Sequence, residues 1–293
     1  MASLFADEVT AGMLTAEAQT LGAAAIHNIK DAFRSKSSNG LLGLGFLLLT
    51  ADTNADAVLD NIVLTLHKNR RLKYASMSII GPRNDPKLAA QIDKNAIMQP
   101  RGWFVIGSVD PKFYSGSISW CPQIVPDRWI VALDQVLING EVVLENQRAL
   151  IDTGTPYMVA SPSNYEKVIS KIMGASKWSQ KQGLYFTYPK PNLEKVSFVF
   201  SGRTFNLFPQ DFSLGGIKLF QKRKDSTAEP AEKDQPRLVS SIVRLASWQF
   251  DEDLWIIGGI FLDNVVTIFD FSERKVGFAD ISEEDFAHAP AAG

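Results

Sequence analysis

Short apolar stretches, separated by turn-forming residues, make up most of the chain. Four of them are rich in β-branched and aromatic residues: 102–110, 115–123, 128–144 and 195–208. Their alternating pattern predicts β-strands. Asn139-Gly140 separates two β-branched runs within the third stretch, and because both residues tolerate positive φ they predict a tight hairpin. The chain is therefore predicted to be mainly β.

Helical spacing is confined to a few segments. Apolar side chains recur on one side of residues 55–67 and of residues 163–173, where Ser163 is the predicted N-cap. Residues 222–237 are polar, carry both signs of charge and contain prolines, so a solvated loop between strands is predicted. Residues 282–293 are predicted to form a frayed acidic tail.

Composition narrows the classes of function. At 293 residues and 45% hydrophobic, the chain can bury one large core or two medium ones. A net charge of −2 provides no basic field for a phosphate backbone, so no nucleic-acid partner is expected. The longest apolar run, Leu41–Leu49, is interrupted by glycines and is too short for a membrane span. The first residues lack the basic and apolar regions of a secretory signal, so we expect none and leave the location open.

The chain offers little material for cofactor or metal chemistry. Cys121 is the single cysteine, which rules out an intrachain disulfide, fits a reducing compartment and predicts a small buried side chain. His27, His67 and His288 have no nucleophile motif or metal-ligand spacing near them and are expected at the surface or at helix ends. Residues 40–45, GLLGLG, lack the Lys-Ser/Thr ending of a phosphate loop. No cofactor and no metal are expected.

The most informative segment is Ala149–Thr155, where an apolar strand ends abruptly in Asp152. Gly154 lets the backbone turn tightly, so main-chain N–H groups can point back at the carboxylate. The hydroxyls of Thr153 and Thr155 can donate further hydrogen bonds to it. A D-T-G tripeptide alone is a weak signal, and its surroundings decide how it is interpreted.

Three segments downstream give the motif its context. The chain reads WIIGG at 255–259, IFLDNVVTIFD at 260–270 and KVGFA at 275–279. Together with the D-T-G strand, these segments resemble the C-terminal lobe of pepsin-like (A1) aspartic peptidases. In that family the D-T-G strand is clasped by a later strand of two apolar residues and a glycine, which corresponds here to positions 256–258.

Upstream, residues 102–120 resemble the family's inter-lobe strand and residues 129–143 the hairpin that leads to the aspartate. The resemblance extends from about Val9 to Asp280. It implies a mainly β, pepsin-like bilobal fold with a truncated N-terminal lobe and a complete C-terminal lobe. The expected division is 1–100 for the remnant of the N-terminal lobe, 101–127 for the inter-lobe strands, 128–283 for the C-terminal lobe and 284–293 for a flexible tail.

The resemblance also shows what the chain lacks. Each lobe of the family supplies one aspartate, and the first lobe's apolar-apolar-glycine strand corresponds to residues 39–46. The 38 residues before it contain neither D-T-G nor a tyrosine for the family's flap, so the beginning of the first lobe is expected to be absent. Asp52-Thr53-Asn54 imitates the motif but is predicted to be a turn or helix cap. Pro156 stands where the family has a serine or threonine.

The implied function is aspartic-type endopeptidase activity on a peptide or protein substrate. Asp152 is the expected catalytic residue, supported by the site residues Thr153, Gly154, Thr155, Ile257 and Gly258. The family's chemistry needs two carboxylates that share one proton, for which aspartic proteases are the standard example. Only one of them is recognised in this chain, so activity would need a longer product or a second chain.

Because only one of the two carboxylates is recognised, other functions are also considered. The cleft could bind a peptide or a small molecule, or catalyse another reaction, because fold does not settle function. The apolar wall of an incomplete lobe also predicts self-association or partner binding. A homodimer that joins two copies of Asp152 is disfavoured, because the retained first-lobe segment occupies the pairing surface. A purely structural role is the least favoured of these hypotheses.

Overall fold

The computed structural model describes residues 2–24, 40–48, 58–81, 102–180, 183–190, 195–207, 209, 211–216, 236–245 and 251–282. Strands dominate this part of the chain, as the apolar pattern predicts. The expected loop at 222–235, the tail beyond residue 282, the imitation motif at 52–54, and His27 and His288 lie outside the described residues.

The first seven strands precede residue 123. They are β1 (Ala2–Ala11), β2 (Leu14–Ala24), β3 (Leu47–Leu48), β4 (Val58–Leu59), β5 (Ser76–Ile80), β6 (Trp103–Ile106) and β7 (Tyr114–Pro122). The remaining strands follow Pro122. They are β8 (Ile130–Ile138), β9 (Glu141–Ile151), β10 (Met158–Val159), β11 (Ser176–Gln180), β12 (Gly183–Pro189), β13 (Val196–Phe200), β14 (Arg203–Leu207), β15 (Ser213–Gly216), β16 (Arg237–Ser240), β17 (Ile242–Leu245), β18 (Leu254–Ile257), β19 (Val265–Asp270) and β20 (Lys275–Ile281).

All four predicted β stretches are confirmed by strands β6, β7, β8 with β9, and β13 with β14. The hairpin prediction is confirmed as well. Asn139 and Gly140 join β8 to β9 with φ of 54° and 82°, the left-handed values that favour this residue pair in a tight turn. The turn thereby starts β9, the strand that leads to Asp152.

The described helices are short: α1 (Ile62–Lys68), α2 (Pro162–Ser170), α3 (Gly259–Leu262) and a 3-10 turn at Pro111–Phe113. Both helix predictions are correct in place but wrong at their starts. Asn61 caps α1, and the expected earlier residue Val58 lies in β4 instead. Ser161, not Ser163, caps α2, because its hydroxyl accepts the Asn164 N–H at 3.3 Å. His67 lies in the last turn of α1, as expected for a helix-end residue.

Two large sheets organise the described residues. An eleven-stranded sheet runs β14-β13-β8-β9-β18-β10-β17-β12-β16-β15, with β11 added beside β12. A five-stranded sheet runs β6-β5-β19-β20-β7 and so combines three strands that precede residue 123 with the last two strands, β19 and β20. The pairs β1–β2 and β3–β4 form separate two-stranded sheets. The main apolar core contains residues from both large sheets, and it supports the strands that present Asp152.

The first-lobe strand expected at residues 39–46 is not observed. Residues 40–46 have no strand assignment, and only Leu47 and Leu48 pair, with β4. Leu44 and Phe46 pack against the main core, while Leu41 is 83% exposed and Leu42 54% exposed. An apolar segment forms a strand only where neighbouring strands satisfy its backbone, and no described strand pairs with residues 40–46.

Candidate active site

Asp152 follows directly after β9, which lies between β8 and β18 in the large sheet. The pairing with β18 is parallel and aligns Ile151 with Ile257. It continues one residue beyond the strand, because the Asp152 N–H donates to the Ile257 carbonyl oxygen at 3.0 Å. The backbone of the aspartate is therefore fixed by the strand that the sequence pattern had paired with it.

The side chain of Asp152 is held by its own turn. The Gly154 N–H donates to Oδ1 at 2.9 Å, and the Thr155 hydroxyl donates to Oδ2 at 2.6 Å. Each carboxylate oxygen keeps a second lone pair for a water molecule or a ligand. The structure thus brings Asp152, Gly154 and Thr155 together, whereas the Thr153 side chain is exposed and makes no hydrogen bond to the described residues.

Ile257, the last residue of β18, and Gly258, which follows it, support the turn that contains Asp152. The Ile257 side chain is fully buried, and a Cβ on Gly258 would lie 2.0 Å from the Thr155 carbonyl oxygen and 2.2 Å from that of Tyr157. Only glycine allows these carbonyls to approach so closely. The next residue, Gly259, donates its N–H to the Thr155 carbonyl oxygen at 2.7 Å, so α3 also holds the turn.

Pro156 has no N–H to donate, because its nitrogen is part of the proline ring. Its carbonyl oxygen accepts the Ile260 N–H at 3.1 Å, so the residue is part of the clasp between the turn and α3. The sequence analysis missed two contributors here, Gly259 and Tyr157. The second glycine of WIIGG was a usable signal for the first of them, whereas nothing in the sequence pattern marks Tyr157.

The strands around Asp152 have two apolar faces. Ile151, Ile257 and Met158 point into the main core. The alternate residues Leu150, Ile256 and Val159 belong to a second cluster on the opposite face. This second cluster also contains Trp178 of β11 and Tyr185 of β12, with Tyr157, Leu214 and Leu245 partly buried at its edge. Because side chains alternate along a strand, Asp152 projects on the same side as Leu150.

An ion-pair network ties β9, close to its Asp152 end, to the start of β18. Arg148 of β9 binds both carboxylate oxygens of Asp253, at 2.7 and 2.6 Å, and Asp251 at 2.6 Å. The Arg148 guanidinium holds the pKa of Asp253 below its usual range, and the two carboxylates raise the pKa of Arg148. These bonds fix β9 to the turn that starts β18.

Two further groups near this framework have shifted pKa values. Burial, with a smaller contribution from the Asp211 carboxylate, raises the pKa of Asp263 at the end of α3 to about 6. Burial also raises the pKa of Cys121 to about 11, so the thiol stays protonated at neutral pH. Cys121 is 1% exposed, as predicted for a small buried residue.

The described residues hold no group of three His, Cys, Asp or Glu side chains placed to bind a metal ion. None of the helices that the structure describes has the length and hydropathy of a membrane span. Asp152 is also the only aspartate in a D-T-G turn within the described ranges. The site therefore consists of one oriented carboxylate, its turn and the strands that hold them.

A family model described as eukaryotic aspartyl protease matches residues 2–281. The chain belongs to this family. Its fold is accordingly the mainly β, pepsin-like fold of the A1 peptidases, and the described strands include the one that leads to the D-T-G turn.

Several curated relatives are similar over much of the chain. Cathepsin D of Clupea harengus is 23% identical over 275 residues, covering 93% of this chain and 61% of the relative. Pepsin B of Canis lupus familiaris is 25% identical over 244 residues, covering 82% and 54%. Pepsin-2B of Gadus morhua is 30% identical over 176 residues, covering 60% and 48%. The chain thus spans between 48% and 61% of the length of these relatives.

Proposed function

We propose that this protein is an aspartic-type endopeptidase in which Asp152 is one of two catalytic carboxylates. The observation that carries the proposal is the orientation of the Asp152 carboxylate by the Gly154 N–H and the Thr155 hydroxyl. A carboxylate fixed in this way at the end of a buried strand can position a water molecule for attack on a peptide bond. The supporting residues are Thr153, Gly154, Thr155, Ile257 and Gly258.

The proposed hydrolysis uses two carboxyl groups, one as a base and the other as an acid. Asp152 takes a proton from the bound water while the water oxygen bonds to the scissile carbonyl carbon. A second, protonated carboxyl group gives its proton to the carbonyl oxygen, which produces a geminal diol. Asp152 then gives its proton to the amide nitrogen while the second carboxylate takes a proton from one diol hydroxyl. The C–N bond breaks, the acid and the amine are released, and both carboxyl groups return to their starting states. The two groups titrate as a pair and not as separate residues.

The second carboxyl group comes, in this proposal, from outside the residues that the structure describes. We place the second carboxyl group next to the exposed Leu41-Leu42-Gly43 segment. The reason is that the same apolar-apolar-glycine pattern, in β18, pairs with the strand that leads to Asp152. The proposed division of the chain remains 1–100, 101–127 and 128–283, followed by a tail at 284–293. The proposed ligand is a peptide or protein substrate.

Cleavage of a denatured protein substrate between pH 3 and 7 tests the proposal. The assay compares the wild-type chain with Asp152→Asn, and each with and without a peptide inhibitor that carries the family's transition-state-mimicking hydroxyl. We expect cleavage on the acidic side of this range that both the substitution and the inhibitor abolish. Absence of cleavage at every pH, or cleavage that survives Asp152→Asn, would contradict the proposal.

Two threonines of the motif provide a matched pair of variants for the same assay. Thr155→Val removes the hydroxyl that donates to Asp152, and kcat is expected to fall by a factor of about 10 or more since a hydrogen bond to a charged group is lost. Thr153→Val removes an exposed hydroxyl without a described partner, and we expect a smaller effect. An equal loss in both variants would show that the bond to Asp152 has no particular role.

The second candidate function is a non-proteolytic homologue that binds a peptide or small molecule, or performs another reaction, in the cleft. The observation that favours it is the single D-T-G carboxylate among the described residues. Calorimetric titration of the wild type with the same hydroxyl inhibitor distinguishes the two functions. Binding without any cleavage would favour this second function over the first.

Self-association is a further proposal, supported by exposed apolar side chains in the first hundred residues. Leu41 and Leu42 are 83% and 54% exposed, and Leu4 and Phe5 are 49% and 47% exposed. Apolar side chains of this kind favour association when they form a continuous patch. Sedimentation velocity over a hundredfold concentration range tests it. A wild-type chain that associates should do so less after Leu41→Ser with Leu42→Ser, and a monomer at all concentrations would exclude it.

A further inference from the structure

The strand register places Tyr157 near Asp152. Ile151 of β9 pairs with Ile257 of β18, which in turn pairs with Met158 of β10. The next row across these strands consists of Asp152, Gly258 and Tyr157, as the contact of Gly258 with the Tyr157 carbonyl oxygen indicates. Two strand spacings separate the ends of the row, so the Cα atoms of Asp152 and Tyr157 lie about 10 Å apart.

The Tyr157 ring lies on the same face of the sheet as the Asp152 carboxylate. Tyr157 alternates with Val159 of the second apolar cluster, and Asp152 alternates with Leu150 at the edge of that cluster. The ring of Tyr157 is partly buried there and packs edge-on against Tyr185, with 6.3 Å between ring centroids and an angle of 85°. This contact holds the ring beside the cluster with its hydroxyl at the edge.

The hydroxyl groups of the two tyrosines differ in their surroundings. Tyr185 is 7% exposed, and burial together with the neighbouring Tyr157 hydroxyl raises its pKa to about 12. Tyr185 therefore keeps its proton at any physiological pH. The Tyr157 hydroxyl forms a hydrogen bond with the Tyr185 hydroxyl. Because Tyr185 keeps its proton, it can donate this bond to the Tyr157 oxygen, which leaves the Tyr157 proton for a ligand that lies on this face.

We propose that the Tyr157 hydroxyl donates a hydrogen bond to a main-chain carbonyl of a peptide bound across Asp152. An extended peptide advances about 3.3 Å per residue, so a separation of about 10 Å between the two Cα atoms places this carbonyl several residues from the bond next to the carboxylate. The inference rests on the proposed function, because it takes a peptide as the ligand. It adds to that function a binding residue that acts at a distance from the reacting bond.

The test compares two inhibitors that share the hydroxyl isostere and differ in length. The long one extends four residues on each side of the isostere, and the short one extends one residue. Tyr157→Phe keeps the ring and removes the hydroxyl, so we expect the Kd of the long inhibitor to rise about 5- to 10-fold and that of the short one by less than about 2-fold. For a cleaved substrate of matching length, KM should rise while kcat stays unchanged.

Tyr188→Phe is the matched control. Tyr188 lies in β12 with Tyr185, and its buried hydroxyl donates to the Phe212 carbonyl oxygen at 3.1 Å, away from Asp152. The same chemical change there should reduce stability and leave both Kd values within about 2-fold of the wild type. Equal weakening of the long and short inhibitors by Tyr157→Phe, or no weakening, would overturn the inference.

A second measurement separates this inference from the proposed function. If the wild type neither cleaves the substrate nor binds either inhibitor, the proposed function fails. N-methylacetamide then serves as a probe of the carbonyl site, with the chain labelled at the tyrosine Cζ carbons. We expect a saturable shift of the Tyr157 resonance that exceeds the shift of Tyr74, which is 50% exposed. Equal, non-saturating shifts for both residues would overturn the inference by itself.

Discussion

Two segments of this chain share one pattern, two apolar residues followed by glycine, and the protein folds them differently. Ile256 and Ile257 are 7% and 0% exposed and form the centre of the large sheet. Leu41 and Leu42 are 83% and 54% exposed and lie in no strand. The difference does not come from the apolar character of the residues, which is similar in the two segments.

What differs is the set of neighbours. Ile256 and Ile257 have the parallel strand β9 on one side and the antiparallel strand β10 on the other. A Cβ on Gly258 would meet two carbonyl oxygens, whereas a Cβ on Gly43 would have no described atom within 4 Å apart from those of its chain neighbours. Among the described residues, the pattern therefore forms a strand only where other strands pair with it.

The largest expected effect comes from truncating one aliphatic side chain in each segment. Ile257→Ala should reduce the free energy of unfolding by about 3–4 kcal/mol, because it leaves a cavity beneath Asp152. Leu41→Ala should change it by less than about 0.5 kcal/mol, since that side chain is already exposed. Urea unfolding followed by circular dichroism measures both. Similar losses in the two variants would mean that Leu41 is buried in solution.

The glycines provide the next test of the comparison. Gly258→Ala forces two carbonyl oxygens away from the new methyl group, and we expect a loss of about 2–3 kcal/mol in the free energy of unfolding. Gly43→Ala meets no atom and should stabilise the chain by up to about 1 kcal/mol through the unfolded state. Thermal and urea unfolding can both detect the opposite signs. A stable Gly258→Ala variant would contradict the close packing of the clasp.

The helix that follows Gly258 introduces a pH dependence. The pKa of Asp263 is raised from 3.8 to about 6, so the folded state binds more protons than the unfolded state between these values. Stability should therefore fall as the pH rises from 4 to 6, by about 1–2 kcal/mol, and then level off. Asp263→Asn should remove this slope. Asp7→Asn, the same change on the exposed ribbon of β1, should leave it in place.

The smallest expected effect separates the ion pairs of the two regions. Arg148→Ala should reduce stability by about 0.5–1 kcal/mol near neutral pH, since Arg148 and Asp253 are 29% and 41% exposed and partly screened by solvent. Because the pKa of Asp253 is lowered from 3.8, this contribution is complete above that value and is lost as the pH falls through the lowered pKa.

Arg71→Ala is the control for this last prediction. Arg71 pairs with Glu17 of β2 at 3.1 Å, and their side chains are 54% and 60% exposed. We expect no measurable change in the free energy of unfolding, because exposed pairs of this kind contribute little. Urea midpoints at pH 7 and pH 3 test both variants. No loss of stability for Arg148→Ala at pH 7 would show that Arg148 adds nothing to the hold of β9 on β18.

The strands and the aspartate turn were predictable because their signals are local. Alternation gives β7 and β8, and Asn139-Gly140 gives the hairpin. The pairing of β9 with β18 joins segments that are far apart in the sequence, and it was expected from the resemblance to the pepsin-like family. Thr155 was predicted as a donor to Asp152 and makes that bond. Thr153 was predicted alongside it, but nothing in the tripeptide says which hydroxyl faces the carboxylate.

The remaining features depend on neighbours that are distant in sequence. The strand expected at residues 39–46 is not found over the described residues 40–46. The apolar pattern of this segment is typical of a strand, but no described strand pairs with it. The start of α2 was placed at Ser163, although the preceding Ser161 reaches the free N–H of Asn164. Tyr157 was missed because its position beside Asp152 follows from the register of three strands and from no motif of its own.

The five-stranded sheet has a consequence for the order of folding. Its central strand β19 pairs with β5 and β20. This pairing places Val266 opposite Ile80, although the two residues are far apart in the sequence. During synthesis, β5 and β6 leave the ribosome long before the strand that joins them to the sheet. Such non-local pairing makes folding slow, and β6 presents the apolar run Trp103–Ile106 in the meantime. The chain therefore depends on its late strands β19 and β20 to complete the sheet and protect β5 and β6 from aggregation.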